Sequence, residues 1–222
     1  PVLSVTQAIT YDNTPLVGGT AESGVTISIY SGNTLLGPPV EANGGVISFT
    51  PSTALSDGTY VLTATASDFA GNISAASNPI TLVVDTVDPA VPTLTGTSPS
   101  STSTPVISGV AEANATVTIL AGGQALGQAS ADAGGNYTFT PGSPLGDGTH
   151  LLSATATDAA GNTGTASAVF SLLIDTGVPG SPVLSVTQAI TNDNKPVIGG
   201  TAEAGSTVSI YRGNTQLGQV AA

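Results

Sequence analysis

The 222-residue chain has no cysteine, no methionine and no tryptophan, and its only basic side chains are Lys195 and Arg212. Without cysteine there is no disulfide framework and no thiolate metal site, so something other than a covalent staple must stiffen it. Two bases against 14 acids give a formal charge of −12, which excludes the basic footprint that nucleic acid or an anionic membrane surface requires. No run of 18 or more apolar residues occurs, so no membrane insertion is expected. Aromatic residues make up only 4%, too few for a stacking cleft that would hold sugar. What remains is 40% hydrophobic and only 7% charged, the reverse of a disordered polyelectrolyte. No signal-like segment follows Pro1, so any targeting signal is expected outside this stretch.

Self-comparison organises the rest. Pro15-Leu16-Val17-Gly18-Gly19-Thr20-Ala21-Glu22 returns as Pro105-Val106-Ile107-Ser108-Gly109-Val110-Ala111-Glu112, and again as Pro196-Val197-Ile198-Gly199-Gly200-Thr201-Ala202-Glu203. The offsets are 90 and 91 residues, and Phe49-Thr50-Pro51, Asp57-Gly58-Thr59 and Asp85-Thr86 recur at the first of them. The opening decapeptide at 1–10 is repeated letter for letter at 182–191. Three copies follow: repeat 1 at 1–86, repeat 2 at 87–177, and the first half of repeat 3 at 178–222.

Within a copy, apolar and polar residues alternate with period two, as in Val25-Thr26-Ile27-Ser28-Ile29 and Thr116-Val117-Thr118-Ile119. Gly, Asn, Asp and Pro punctuate these runs. In repeat 1 this predicts seven strands, A 2–7, B 15–20, C 25–30, D 34–39, E 45–50, F 60–66 and G 79–84. About seven short strands in some 90 residues is the antiparallel β-sandwich pattern. The fold class expected is all-β: tandem immunoglobulin-like sandwiches arranged end to end. Strand reversal sorts the loops. Glu22 (B–C), Glu41 and Asn43 (D–E), and Asp68 and Asn72 (F–G) fall at the entry end, and Asp12, Asp57 and Asp85 at the exit end.

The same residues carry a resemblance. Gly-x-Ala-Glu followed by Thr-Val, then Phe-Thr-Pro, Asp-Gly-Thr-Tyr/His, Ala-Thr-Ala-x-Asp-x-Ala-Gly-Asn and x-Asp-Thr-x-x-Pro, resembles the bacterial Ig-like repeats of giant type I-secreted adhesins. It covers both full copies and the half copy. The resemblance implies a secreted or cell-surface location, extender repeats that hold a cell to host or biofilm surfaces through other parts of the parent, and calcium at the domain junctions.

The junction acids are the candidate site. Asp85 and Asp88 lie where repeat 1 ends, and Glu112 and Asp158, with Asp132 and Asn162 nearby, lie on the entry loops of repeat 2. Acids crowded at a joint repel unless a cation separates them, and Ca²⁺ takes six to eight oxygens. Asp85, Asp88, Glu112 and Asp158 are therefore expected as ligands of one structural Ca²⁺. The bland alternative is that they are solvated turn formers. The second junction is poorer: Asp175 and Glu203 are present, but Val178 replaces Asp88. Glu22 and Asp68 form half a site at the entry end of repeat 1.

His150, the only histidine, takes the place of Tyr60 after Asp-Gly-Thr, which points to a structural role at the start of strand F. No second histidine or well-placed lysine is available to activate a serine or threonine, nothing sets two carboxylates apart for glycoside hydrolysis, and the glycine pairs Gly122-Gly123 and Gly134-Gly135 precede strands, not the helix of a phosphate loop. No enzyme is expected. The function expected is a monomeric, calcium-rigidified spacer whose partners are its neighbouring repeats. The alternatives are a ligand-binding Ig-like module contacting host or matrix, and a spacer in a secreted multidomain enzyme.

Overall fold

The period-two alternation is realised as strands throughout, and no helix forms among the described residues. The computed structural model describes residues 1–186 and 192–222; the last five residues of the repeated decapeptide, 187–191, lie outside them. The chain divides into two compact units, Pro1–Ile174 and Asp175–Ala222.

In repeat 1 the strands are β1 (Val2–Val5), β2 (Ile9–Thr10), β3 (Val17–Thr20), β4 (Thr26–Ser31), β5 (Thr34–Leu35), β6 (Val40–Glu41), β7 (Val46–Phe49), β8 (Gly58–Ser67) and β9 (Ile80–Val84). One sheet runs β1-β3-β7. The other runs β2-β9-β8-β4-β5, with β6 also paired to β4. Ile27, Ile29, Leu62, Ala64, Leu82 and Val84 from the second sheet close on Leu3, Val17, Ile47 and Phe49 from the first. Fully burying each of the larger aliphatics contributes roughly 1.5–3 kcal/mol.

Strand A differs from the expected single run 2–7. Leu3 and Thr10 are both buried, yet residues seven apart in one continuous strand point to opposite faces. The chain therefore breaks, leaving β1 antiparallel to β3 and carrying β2 across to pair in parallel with β9. Strand D also splits. Pro38 and Pro39 cannot donate to a ladder, so β5 and β6 form on either side of them. Glu41 consequently ends a strand, opposite Thr26, instead of sitting in the D–E loop.

Repeat 2 supplies the control for that explanation. Its strands are β10 (Thr95–Gly96), β11 (Ile107–Val110), β12 (Thr116–Ala121), β13 (Gln124–Ser130), β14 (Asn136–Phe139), β15 (Gly148–Thr157) and β16 (Phe170–Ile174). Gln128 and Ala129 stand where repeat 1 has the two prolines, and strand D is continuous as β13. The sheets run β10-β11-β14 and β13-β12-β15-β16 around Ile107, Val117, Ile119, Tyr137, Leu152 and Leu172. Tyr137 donates its hydroxyl to the Thr93 carbonyl at 2.6 Å. His150 Nε2 donates to the Gly146 carbonyl at 2.8 Å, the bond that Tyr60 makes to Ser56 in repeat 1 at the same distance. Its role is at the turn before the strand, as its position in the repeat implies.

The second unit has two hairpins, β17 (Val183–Val186) with β18 (Ile198–Thr201), and β19 (Thr207–Arg212) with β20 (Thr215–Ala221). Strands corresponding to β7, β8 and β9 do not occur among its described residues, so apolar side chains that are core in repeat 1 stay open. Leu184 is 54% exposed, against 6% for its counterpart Leu3.

The layered core makes a direct expectation. Leu152→Ala is expected to lower the unfolding free energy of repeat 2 by about 2–5 kcal/mol in urea titration, while the exposed neighbour Leu151→Ala changes it by less than about 0.5 kcal/mol. Equal effects of the two would contradict the assigned faces.

Candidate functional site

The F–G loop of each full repeat is built from five residues, Asp-x-Ala-Gly-Asn. In repeat 2, Asp158 Oδ1 accepts the backbone N–H groups of Gly161 (2.7 Å) and Asn162 (2.9 Å), and Asp158 Oδ2 accepts the Asn162 side-chain amide at 2.8 Å. Gly161 adopts φ +100°, a region glycine enters without steric cost. Repeat 1 forms the same loop. Asp68 accepts the backbone and side-chain N–H groups of Asn72 at 2.8 and 2.7 Å, and Gly71 has φ +88°.

The two loops differ in what they meet. Asn162 uses its second amide hydrogen to reach the backbone carbonyl of Asp85, the residue directly after β9, at 2.8 Å. Both neighbours of that amide are acceptors, so only the nitrogen can face them. The Ala160 carbonyl accepts the Tyr11 backbone N–H at 3.3 Å. Gly161 lies under the Tyr11 ring and Gly164 against the Pro89 carbonyl, where a Cβ would come within 2.3 Å of the oxygen. The F–G loop of repeat 2 thus sits on the exit end of repeat 1: Ala160 is 4% and Asn162 8% exposed. In repeat 1, where nothing covers the loop, Phe69 is 108% and Ile73 73% exposed. Each cross-joint hydrogen bond contributes about 1 kcal/mol net, and stranding the Asp85 carbonyl by removing its donor costs about 1–3 kcal/mol.

The expected cation ligands are distributed differently. Asp85 Oδ1 accepts the Val87 N–H at 3.1 Å, and the Asp85 main chain is held by its own N–H to the Thr10 carbonyl. Asp88 and Glu112 are exposed. Asp158 spends both oxygens on its own loop. Asp132 does likewise, accepting the N–H groups of Gly134 and Asn136. Glu22 and Asp68 lie on the uncovered entry end of repeat 1. In the second unit Asp175 Oδ1 accepts the Gly177 N–H and Glu203 Oε2 the Gly180 N–H. Among the described residues, no three acidic or histidine side chains gather as a metal cage. The joint offers a calcium ion a poor donor set, because its best-placed oxygens already face N–H donors.

Sequence reasoning located the joint and its Asp158–Asn162 loop, but missed Tyr11, Pro89 and Gly164. A signal for them was present: Tyr11 stands where the other copies have Ser101 and Asn192, and Gly164 where repeat 1 has Ser74.

The Asx loops also set a pH dependence. The Asn72 side-chain amide, ahead of its backbone N–H, holds the Asp68 carboxyl below its ordinary value of 3.8. The Asn136 backbone N–H does the same for Asp132. A lowered pKa in the fold means the contribution is complete above pH 3.8 and is lost as pH falls through the lower folded value. The melting temperature is therefore expected to lose these contributions only below about pH 3.8, and Asp132→Asn to remove the part due to that loop. A loss from this source between pH 7 and 5 would contradict the assignment.

Comparison with known proteins follows the repeat. The family model of the bacterial Ig-like domain matches twice, over residues 3–86 and 94–176. No curated protein matches the chain. Similar solved structures include a tetra-tandem repeat from the extending region of a large adhesion protein, 21% identical, covering 94% of this chain and 58% of that one, with a TM-score of 0.37. Another is the BSP domain of a biofilm-associated protein, 20% identical, covering 80% of this chain and 30% of that one, with a TM-score of 0.33. The central fibronectin-III array of a RIM-binding protein is 13% identical, covering 99% of this chain and 80% of that one, with a TM-score of 0.27. This chain spans well under two thirds of the first two structures. With two successive matches filling most of its length, the chain belongs to the bacterial Ig-like domain family.

Proposed function

We propose that these repeats are spacer segments of a bacterial cell-surface adhesin, separating an adhesive region from its anchor. The observation that carries the reading is the joint between repeats 1 and 2. The chemically distinctive side chains there bind the neighbouring repeat and leave no cleft for a ligand. The adhesin repeat of the extending region supports it by analogy. Stability in such an array is a sum of repeat terms and nearest-neighbour terms, so the joint is where a spacer gains stiffness.

A ligand-binding module would need a patch that sets one repeat apart and stays open. A catalytic role lacks a base: the single histidine is committed to the Gly146 carbonyl, and Lys195 and Arg212 both fall in the second unit. Calcium stiffening is left out of the proposal because the joint oxygens are already engaged.

Stretching single molecules tests the load-bearing part. The two complete repeats are expected to unfold in discrete steps, each releasing roughly 300 Å of chain, given about 3.4 Å per extended residue. In parallel, the chain is expected to show no saturable binding to matrix proteins or polysaccharides. Micromolar saturable binding, or unfolding without discrete steps, would sink the spacer reading.

A further inference from the structure

The two F–G loops have the same internal hydrogen bonds and differ at the residue two beyond the asparagine. In both repeats that residue is held by one backbone bond, Ser74 N–H to the Ala66 carbonyl at 2.8 Å and Gly164 N–H to the Ala156 carbonyl at 3.0 Å, so the positions are structurally equivalent. Ser74 also fills its place with a side chain, accepting the Ala66 N–H and donating to the Ala75 carbonyl. At Gly164 the Pro89 carbonyl occupies the space a Cβ would take. A repeat with any side chain at this position cannot seat the exit end of repeat 1 in the observed way.

We propose that Gly164 and Asn162 form a selective docking socket whose partner is the exit end of a Tyr11- and Pro89-bearing repeat, so that the joint specifies which type of repeat follows repeat 1. Asn162 supplies the attraction, a charge-oriented amide aimed at one backbone carbonyl. Asp158 is the positioning residue that holds that amide by accepting its other hydrogen. Gly164 supplies the discrimination, since it admits Pro89 where Ser74 in the loop of repeat 1 would not. Discrimination by a clash against the wrong partner is as effective as added contacts to the right one. The socket closes through protein donors and acceptors alone, so its geometry is independent of divalent cations. This deepens the spacer reading, yet it stands separately: a chain that bound matrix with its joint shut would sink the spacer and leave the socket.

The absence of cysteine makes the test clean. Spin labels placed at Ser48→Cys and Thr138→Cys, two exposed strand positions in repeats 1 and 2, report the inter-repeat distance by pulsed electron resonance in the full chain. The unmodified joint is expected to give one narrow distance distribution, the same in chelator and in millimolar calcium. Gly164→Ser, which installs the repeat 1 residue, is expected to broaden it at least twofold, and Asn162→Ala to do the same. The mirror changes in the uncovered loop, Ser74→Gly and Asn72→Ala, are expected to leave it unchanged. Circular dichroism melting checks that each variant remains folded, and Asn162→Ala carries the test if Gly164→Ser does not fold. A narrow distribution in both joint variants, or one that narrows only when calcium is added, would overturn the proposal.

Discussion

One side-chain amide organises the contact between the two complete repeats. Asn162 has two N–H groups to place in a nearly water-free site, and gives one to the Asp158 carboxylate and the other to the Asp85 carbonyl. The first bond belongs to the loop and is present, in the same form, in repeat 1. The second bond exists only because another repeat brings a carbonyl to it. A loop that stabilises its own domain has in this way become the connector to the domain before it. The Asp85 main chain is itself fixed, its N–H bonded to the Thr10 carbonyl and its successor Thr86 bonded through N–H and hydroxyl to the Asp57 carboxylate. Both partners are therefore held in place before they meet, which lowers the ordering cost of the joint.

Inter-domain contacts within a chain are by default small and mobile. The joint here works against that default by using backbone groups on both sides, the Tyr11 amide with the Ala160 carbonyl and the Asp85 carbonyl with Asn162. Backbone anchors have little rotamer freedom to lose, unlike the long charged side chains that this composition nearly lacks. A chain carrying −12 charge with two bases has almost no ion pairs to offer at its joints, and packing with neutral hydrogen bonds takes their place.

Much of the architecture was legible from alternation and repeat spacing, because a half-buried strand must alternate and a tandem array must repeat its turns. The failures have local causes. Strand A was read as one run because its residues have strand propensity throughout; only the burial of both Leu3 and Thr10 reveals that it changes sheets. Strand D was read through Pro38 and Pro39, although two missing donors were reason enough to split it. The junction was located from its acids, and the aspartates were read as ligands for a cation. In the fold, Asp158 and Asp132 are occupied by N–H donors of their own loops, an arrangement that depends on backbone curvature and not on spacing alone. Tyr11 and Gly164 were invisible to that reasoning because their importance lies in the other repeat.

The account depends on Asn162 making its second bond, and exchange of its side-chain amide protons measures that bond against a reference built into the same molecule. Asn72 has the same loop and the same aspartate partner but no carbonyl across a joint. The Asn162 side-chain protons are expected to exchange with solvent at least tenfold more slowly than those of Asn72, with chelator present or absent. Equal exchange at the two asparagines would contradict the account, because it would mean that the joint does not close on Asp85.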